Sequence, residues 1–187
     1  DQQDRPIPLL QRSLGHSPDV PGVWGDLGKS YADIQRLDEA CDAIGRVIAL
    51  DPDRALNYAA MGGLEARRGN LSAGEWYCNE ALRRDPAIDV AYGNLAHIRG
   101  IQRRFDEMLD FFYKQLELRP DHGTHHSNLS FTLLRLGRYE EGWKHFHWRW
   151  KSGTWTTPEK GARGLPRWNG ESPAPGRILV WREQGIG

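Results

Sequence analysis

Asp26, Ala60, Asn94 and Asn128 stand 34 residues apart along the chain. An asparagine carboxamide carries an acceptor and two donors, so it can pair with both sides of a peptide bond. Repeated at a fixed spacing, such residues hold an extended backbone without demanding a particular sequence. Here the row is broken: Asp26 only accepts when ionised, and Ala60 does neither. Local capping or solvation of Asn94 and Asn128 competes with peptide contact. Lys29 and His97 would lie one turn beyond Asp26 and Asn94 on the same helical surface, placed to meet an acidic group. The peptide-binding set read from the sequence is therefore Asp26, Lys29, Asn94, His97 and Asn128.

Other reactive residues point elsewhere. His122, His125, His126, His145 and His147 invite a metal reading. Yet His126 occupies a packing position, and no fixed ligand spacing accompanies the group, so no metal is expected. Cys41 and Cys78 fall on helical core positions and read as buried structural thiols rather than nucleophiles. Gly185-Ile186-Gly187 is too short for a phosphate loop, and no Ser/His/Asp or paired-carboxylate arrangement stands out. The expectation is no catalytic residue and no cofactor within these residues.

The elements that position these residues come from a repeat. Pro18, Pro52, Pro86 and Pro120 are each 34 residues apart. Six further columns share the period. Trp24, Tyr58, Tyr92 and His126 are followed three residues later by Leu27, Met61, Leu95 and Leu129, then by the small Gly28, Gly62, Ala96 and Ser130. Leu37, Leu71, Phe105 and Tyr139 head a second segment, with Ala40, Gly74, Met108 and Gly142, then Ile44, Cys78, Phe112 and Phe146, behind them. Positions three and four apart form one helical stripe. The small residue lets two helices approach, and the proline stops one unit and starts the next. A 34-residue helix–turn–helix period is the signature of tetratricopeptide (TPR) units.

The spacing predicts helices at 21–34 and 38–50, 55–68 and 72–84, 89–102 and 106–118, and 123–136 and 140–151. Residues 1–20 read as the second helix of a partial unit, with a free-standing capping helix at 7–16 as the alternative. Units follow at 21–54, 55–88 and 89–122, with a degenerate unit at 123–151. Residues 152–176, rich in Gly, Pro, Thr and Trp, read as a connector. Residues 177–187, with Arg177-Ile178-Leu179-Val180-Trp181 running into a Gly-containing loop, read as the first strand of a truncated α/β domain.

Composition narrows the function. The chain has 187 residues, with 25 Lys+Arg balanced by 25 Asp+Glu. That balance argues against a nucleic-acid binder, which draws its affinity from a basic excess. No apolar run is long enough to span a membrane, and two cysteines suggest a reducing compartment, so a cytoplasmic protein without membrane or nucleic-acid partners is expected. Residues 1–134 carry a balance of −5 and residues 135–187 one of +5. The basic part could face a phosphate-bearing substrate, although a solvated face is the ordinary source of such a bias.

The columns resemble the TPR superfamily over residues 1–151. That resemblance implies an all-α, right-handed superhelical solenoid of helical hairpins whose first helices line a concave, peptide-holding face. The C-terminal stretch, from Gly142-Trp143 and Phe146-His147-Trp148-Arg149-Trp150 through Leu165-Pro166-Arg167-Trp168-Asn169-Gly170 to Gly176–Gly187, resembles bacterial proteins that fuse TPR repeats to a glycosyltransferase-like domain. Those are similar to O-linked N-acetylglucosamine transferases in layout and to heptosyltransferases in fold. The resemblance implies a scaffold that recruits a protein or extended peptide for a larger transferase, with the nucleotide-sugar site beyond Gly187. The alternative is a self-association module, a homo-oligomer formed through exposed solenoid ends.

Overall fold

The computed structural model describes residues 6–151. The expected connector at 152–176 and strand at 177–187 lie outside the described residues. Every regular element among the described residues is helical: α1 (Pro6–His16), α2 (Pro21–Asp33), α3 (Leu37–Leu50), α4 (Ala55–Arg67), α5 (Leu71–Arg84), α6 (Asp89–Ile101), α7 (Phe105–Leu118), α8 (Gly123–Arg135) and α9 (Tyr139–Phe146), then a 3₁₀ helix at His147–Lys151. Each first helix, α2, α4, α6 and α8, pairs with the second helix that follows it, and each second helix packs on the next first helix. The result is a solenoid of stacked hairpins. Successive first helices α4 and α6 also pack directly on each other.

The columns explain the packing. Leu27, Met61, Leu95 and Leu129 are all buried, as are the small residues that follow them. At the crossing of α4 and α5 both facing residues, Gly62 and Gly74, are glycine. A Cβ on Gly62 would meet the Cys78 Sγ at 2.5 Å, and one on Gly28 would meet the Ile44 Cδ1 at 2.9 Å. Between the helices of each hairpin, Gln35, Gly69, Arg103 and Gly137 all adopt positive φ. Glycine meets this need without strain at two of the four positions. The core follows the stack as three buried clusters, from Ile7 and Leu14 of α1 to Leu129 and Leu133 of α8, joined through the partly buried Ile48, Tyr77 and Phe111.

The prolines do more than break helices. Each turn carbonyl accepts a hydrogen bond at the aromatic column. Trp24 Nε1 donates to the Pro18 carbonyl (2.7 Å), Tyr92 Oη to that of Pro86 (3.3 Å) and His126 Nε2 to that of Pro120 (2.6 Å). In the remaining unit Arg84 lies over the Tyr58 ring, 3.6 Å from its centroid, and its Nε donates to the Pro52 carbonyl at 3.2 Å. In three of the four units the column residue is thus an apolar body whose polar tip pins the turn that precedes its own helix.

The last helix differs from expectation. The spacing predicts helix to residue 151, but the α-helix ends at Phe146 and tightens into the 3₁₀ turn. Trp148 stacks on His126 of α8, with ring centroids 4.0 Å apart, and Arg149 Nη1 donates to the Phe146 carbonyl at 2.9 Å. The stacking turns the chain back onto α8. A tryptophan two residues past a helix end carries no local mark of that tertiary contact.

Candidate peptide-binding face

The first helices carry the polar column, and the structure gives its members different surroundings. Asp26 and Lys29 on α2, His97 on α6 and Asn128 on α8 are exposed. Asn94 on α6 is half-buried, and its Nδ2 donates to the Ala59 carbonyl of α4 at 2.8 Å. Its carboxamide lies over Gly63, where an added Cβ would come within 3.0 Å of it. Asn94 therefore ties one first helix to the one before it.

The break at Ala60 has a geometric consequence. One unit earlier, the residue equivalent to Asn94 is Ala60, which has no polar side-chain group to donate across to α2. The neighbouring helices α2 and α4 are joined near their C-terminal ends by Arg67 Nη2 donating to the Ala32 carbonyl at 2.7 Å. Elsewhere they leave a groove of about 470 Å³. Asp26 and Lys29 line it from α2, Leu56, Ala60 and Leu64 from α4, and Ile44 and Val47 from α3, with Arg54 just ahead of α4. Gly22, Gly25 and Gly28 keep the α2 side free of bulk. The groove is apolar within and carries two cations and one carboxylate. That chemistry suits an extended segment with a buried apolar side chain and charged flanks.

Asp26 and Lys29 are brought together in this groove; His97 and Asn128 lie on later first helices and do not line it. The sequence reading missed Leu56 and Arg54. Both stand at the start of α4, where their only mark is one exposed apolar residue next to one cation.

Nearby charge is structural. Arg99 of α6 is buried between two carboxylates, with Nη2 2.5 Å from Glu75 Oε1 and Nε 2.9 Å from Glu107 Oε2. Its guanidinium holds the Glu75 carboxyl below the usual carboxylate range. Asp89, also buried, takes His125 Nε2 at 2.8 Å and Arg119 Nε at 3.0 Å. Burial pushes the Cys78 thiol up to about 12 and raises that of Cys41 too, so neither is a thiolate near neutral pH. Among the described residues no group of three His, Cys, Asp or Glu side chains is placed to hold a metal ion.

Comparison with known proteins agrees with the geometry. A tetratricopeptide repeat model matches residues 21–54 and 90–122. The chain is 24% identical over 178 residues to protein FlbA of Caulobacter vibrioides, covering 93% of this chain and 29% of FlbA. It is 25% identical over 112 residues to the protein O-mannosyl-transferase TMTC1 of Mus musculus, covering 58% of this chain and 12% of that protein. It thus spans less than a third of either relative. Among solved structures, MamA (residues 41 to the end) from Desulfovibrio magneticus RS-1 superposes with a TM-score of 0.61 at 16% identity, covering 81% of this chain and 85% of that one. That likeness shows the fold. Residues 21–54 and 90–122 match the tetratricopeptide repeat, and the described residues stack as an all-α solenoid, an architecture suited to protein interaction.

Proposed function

We propose that this solenoid binds an extended polypeptide along its first-helix face and serves as the substrate-recruiting arm of a larger glycosyltransferase-like protein. The observation that carries the binding reading is the open groove between α2 and α4, created where Ala60 interrupts the polar column. Lys29 and Arg54 offer cations to an acidic or carbonyl-bearing flank, and Leu64 and Val47 receive an apolar side chain. Asn128 and His97 supply further polar contacts along the same series of helices. The match to an O-mannosyl-transferase supports the transferase context.

The test is a peptide-display selection against the chain, followed by titration of the selected peptides with the Ala60→Trp variant. Filling the groove lowers their affinity at least tenfold while the melting temperature holds. Unchanged affinity in a folded Ala60→Trp chain removes the groove as the binding site.

A further inference from the structure

We propose that the outer face of α9 is a second docking surface, and that it takes an amphipathic α-helix from a partner polypeptide. The inference is independent of the groove and starts from one column. Cys41, Glu75, Leu109 and Trp143 are 34 residues apart on successive second helices. Each of the first three faces the first helix of the following unit. Cys41 packs with Met61 and Leu64 of α4 and is 7% exposed. Glu75 pairs with Arg99 of α6. Leu109 packs with Leu129 and Leu133 of α8 and is 2% exposed. Trp143 has no following first helix among the described residues, and it is 58% exposed.

The internal interfaces define what fits. Three times in this stack the equivalent surface is covered by the first helix of the following unit. Where the column residue is apolar, the covering helix brings apolar side chains three or four residues apart, as Met61 and Leu64 do, or Leu129 and Leu133. Trp143 continues that series with a larger apolar surface, braced edge-on by Phe146 at 4.8 Å. Tyr139, one turn earlier on α9, is also exposed. Glu140 and Lys144, paired at 3.0 Å and well exposed, give the face a charged border. An apolar stripe with a charged edge is the complement of an amphipathic helix, and an exposed tryptophan is the residue type that most often anchors such contacts.

Among the described residues a second copy offers no matching element. The first helices α2, α4, α6 and α8 are each already held between two second helices. The described residues of one copy therefore present no free first helix to α9 of another.

The experiment uses the full chain and a synthetic peptide of residues 121–137, the stretch whose helix covers Leu109. The peptide binds saturably. Trp143→Ser weakens it at least tenfold, while Trp76→Ser, which alters an equally exposed tryptophan (56%) on α5, does not. Oxidative labelling adds the second readout: Trp143 in the dilute free chain labels as readily as Trp76 and becomes protected when the peptide is added. Absent binding, or binding indifferent to Trp143→Ser in a folded chain, overturns the proposal. So does protection of Trp143 in the dilute free chain, which assigns the face to the chain's own remaining residues. Protection that grows with chain concentration overturns it in favour of a second copy.

Discussion

Gly62 and Gly74 face each other across the α4–α5 hairpin with reciprocal geometry. A Cβ on Gly62 would stand 2.9 Å from the Gly74 carbonyl oxygen, and a Cβ on Gly74 would stand 2.9 Å from the Gly62 carbonyl oxygen. Both of these obstacles are backbone, which cannot swing aside as a side chain can, and the Cys78 Sγ stands nearer still to the Gly62 Cβ, at 2.5 Å. The helices touch there because neither residue has a side chain. Gly62→Ala therefore forces the hairpin apart and costs about 3 kcal/mol. Gly28→Ala, whose nearest neighbour is the Ile44 side chain rather than backbone, costs about 1 kcal/mol. Urea unfolding of the two variants, read by far-UV circular dichroism, checks the contrast; equal losses would mean that the hairpin contact is not held by backbone.

Mild acid should loosen the C-terminal units. His126 donates its Nε2 proton to the Pro120 carbonyl, so its Nδ1 accepts from His145 Nδ1, 2.7 Å away. A further proton between the two Nδ1 atoms has nowhere to go. Burial, then the neighbouring His126 and His147, hold His145 below the usual histidine range, against the opposing pull of Glu141. Burial likewise lowers His125, with His122 and Arg119 adding to it and Asp89 opposing. Both histidines bind a proton less readily folded than unfolded. Their contribution is complete above the ordinary value of 6.5 and is lost as the pH falls below it. Stability measured by urea unfolding should be lower at about pH 5.5 than at about pH 7.5. In His145→Asn, which keeps a donor but does not titrate, the slope should flatten. An unchanged slope in that variant would clear the His126–His145 pair of the effect.

The repeat was legible because it is written four times. Leu37, Leu71, Phe105 and Tyr139 head α3, α5, α7 and α9, and the small-residue column marks the close crossings. What the spacing could not show are bonds whose partner is a backbone atom far along the chain. The Ala59 carbonyl that receives Asn94 has no side-chain signature. The stop of α9 at Phe146 was hidden for the same kind of reason: it depends on Trp148 meeting His126. The groove, too, is visible only once Asn94 is seen reaching across the space that Ala60 leaves empty. The candidate residues Asp26 and Lys29 were readable from their column, but their shared pocket was not.

Asn94 and Asn128 occupy one column and should nevertheless behave differently. Asn94 donates its amide to the Ala59 carbonyl at 2.8 Å and is half-buried between α4 and α6. Removing it in Asn94→Ala deletes an inter-unit hydrogen bond and opens a small gap over Gly63, for a loss of about 1 kcal/mol. Asn128 is exposed, and its removal should change stability by no more than about 0.5 kcal/mol. The binding consequences run the other way. An exposed carboxamide is free to pair with a peptide backbone, so Asn128→Ala should weaken a peptide that extends from the groove along the first helices by about 0.5–1.5 kcal/mol. Asn94→Ala should act on such a peptide chiefly through the spacing of α4 and α6. Urea unfolding and isothermal titration of both variants with one display-selected peptide separate the two roles. If Asn128→Ala folds and binds as the parent chain does, the peptide path does not reach α8. If Asn94→Ala loses no stability while binding falls, its carboxamide serves the ligand rather than the stack.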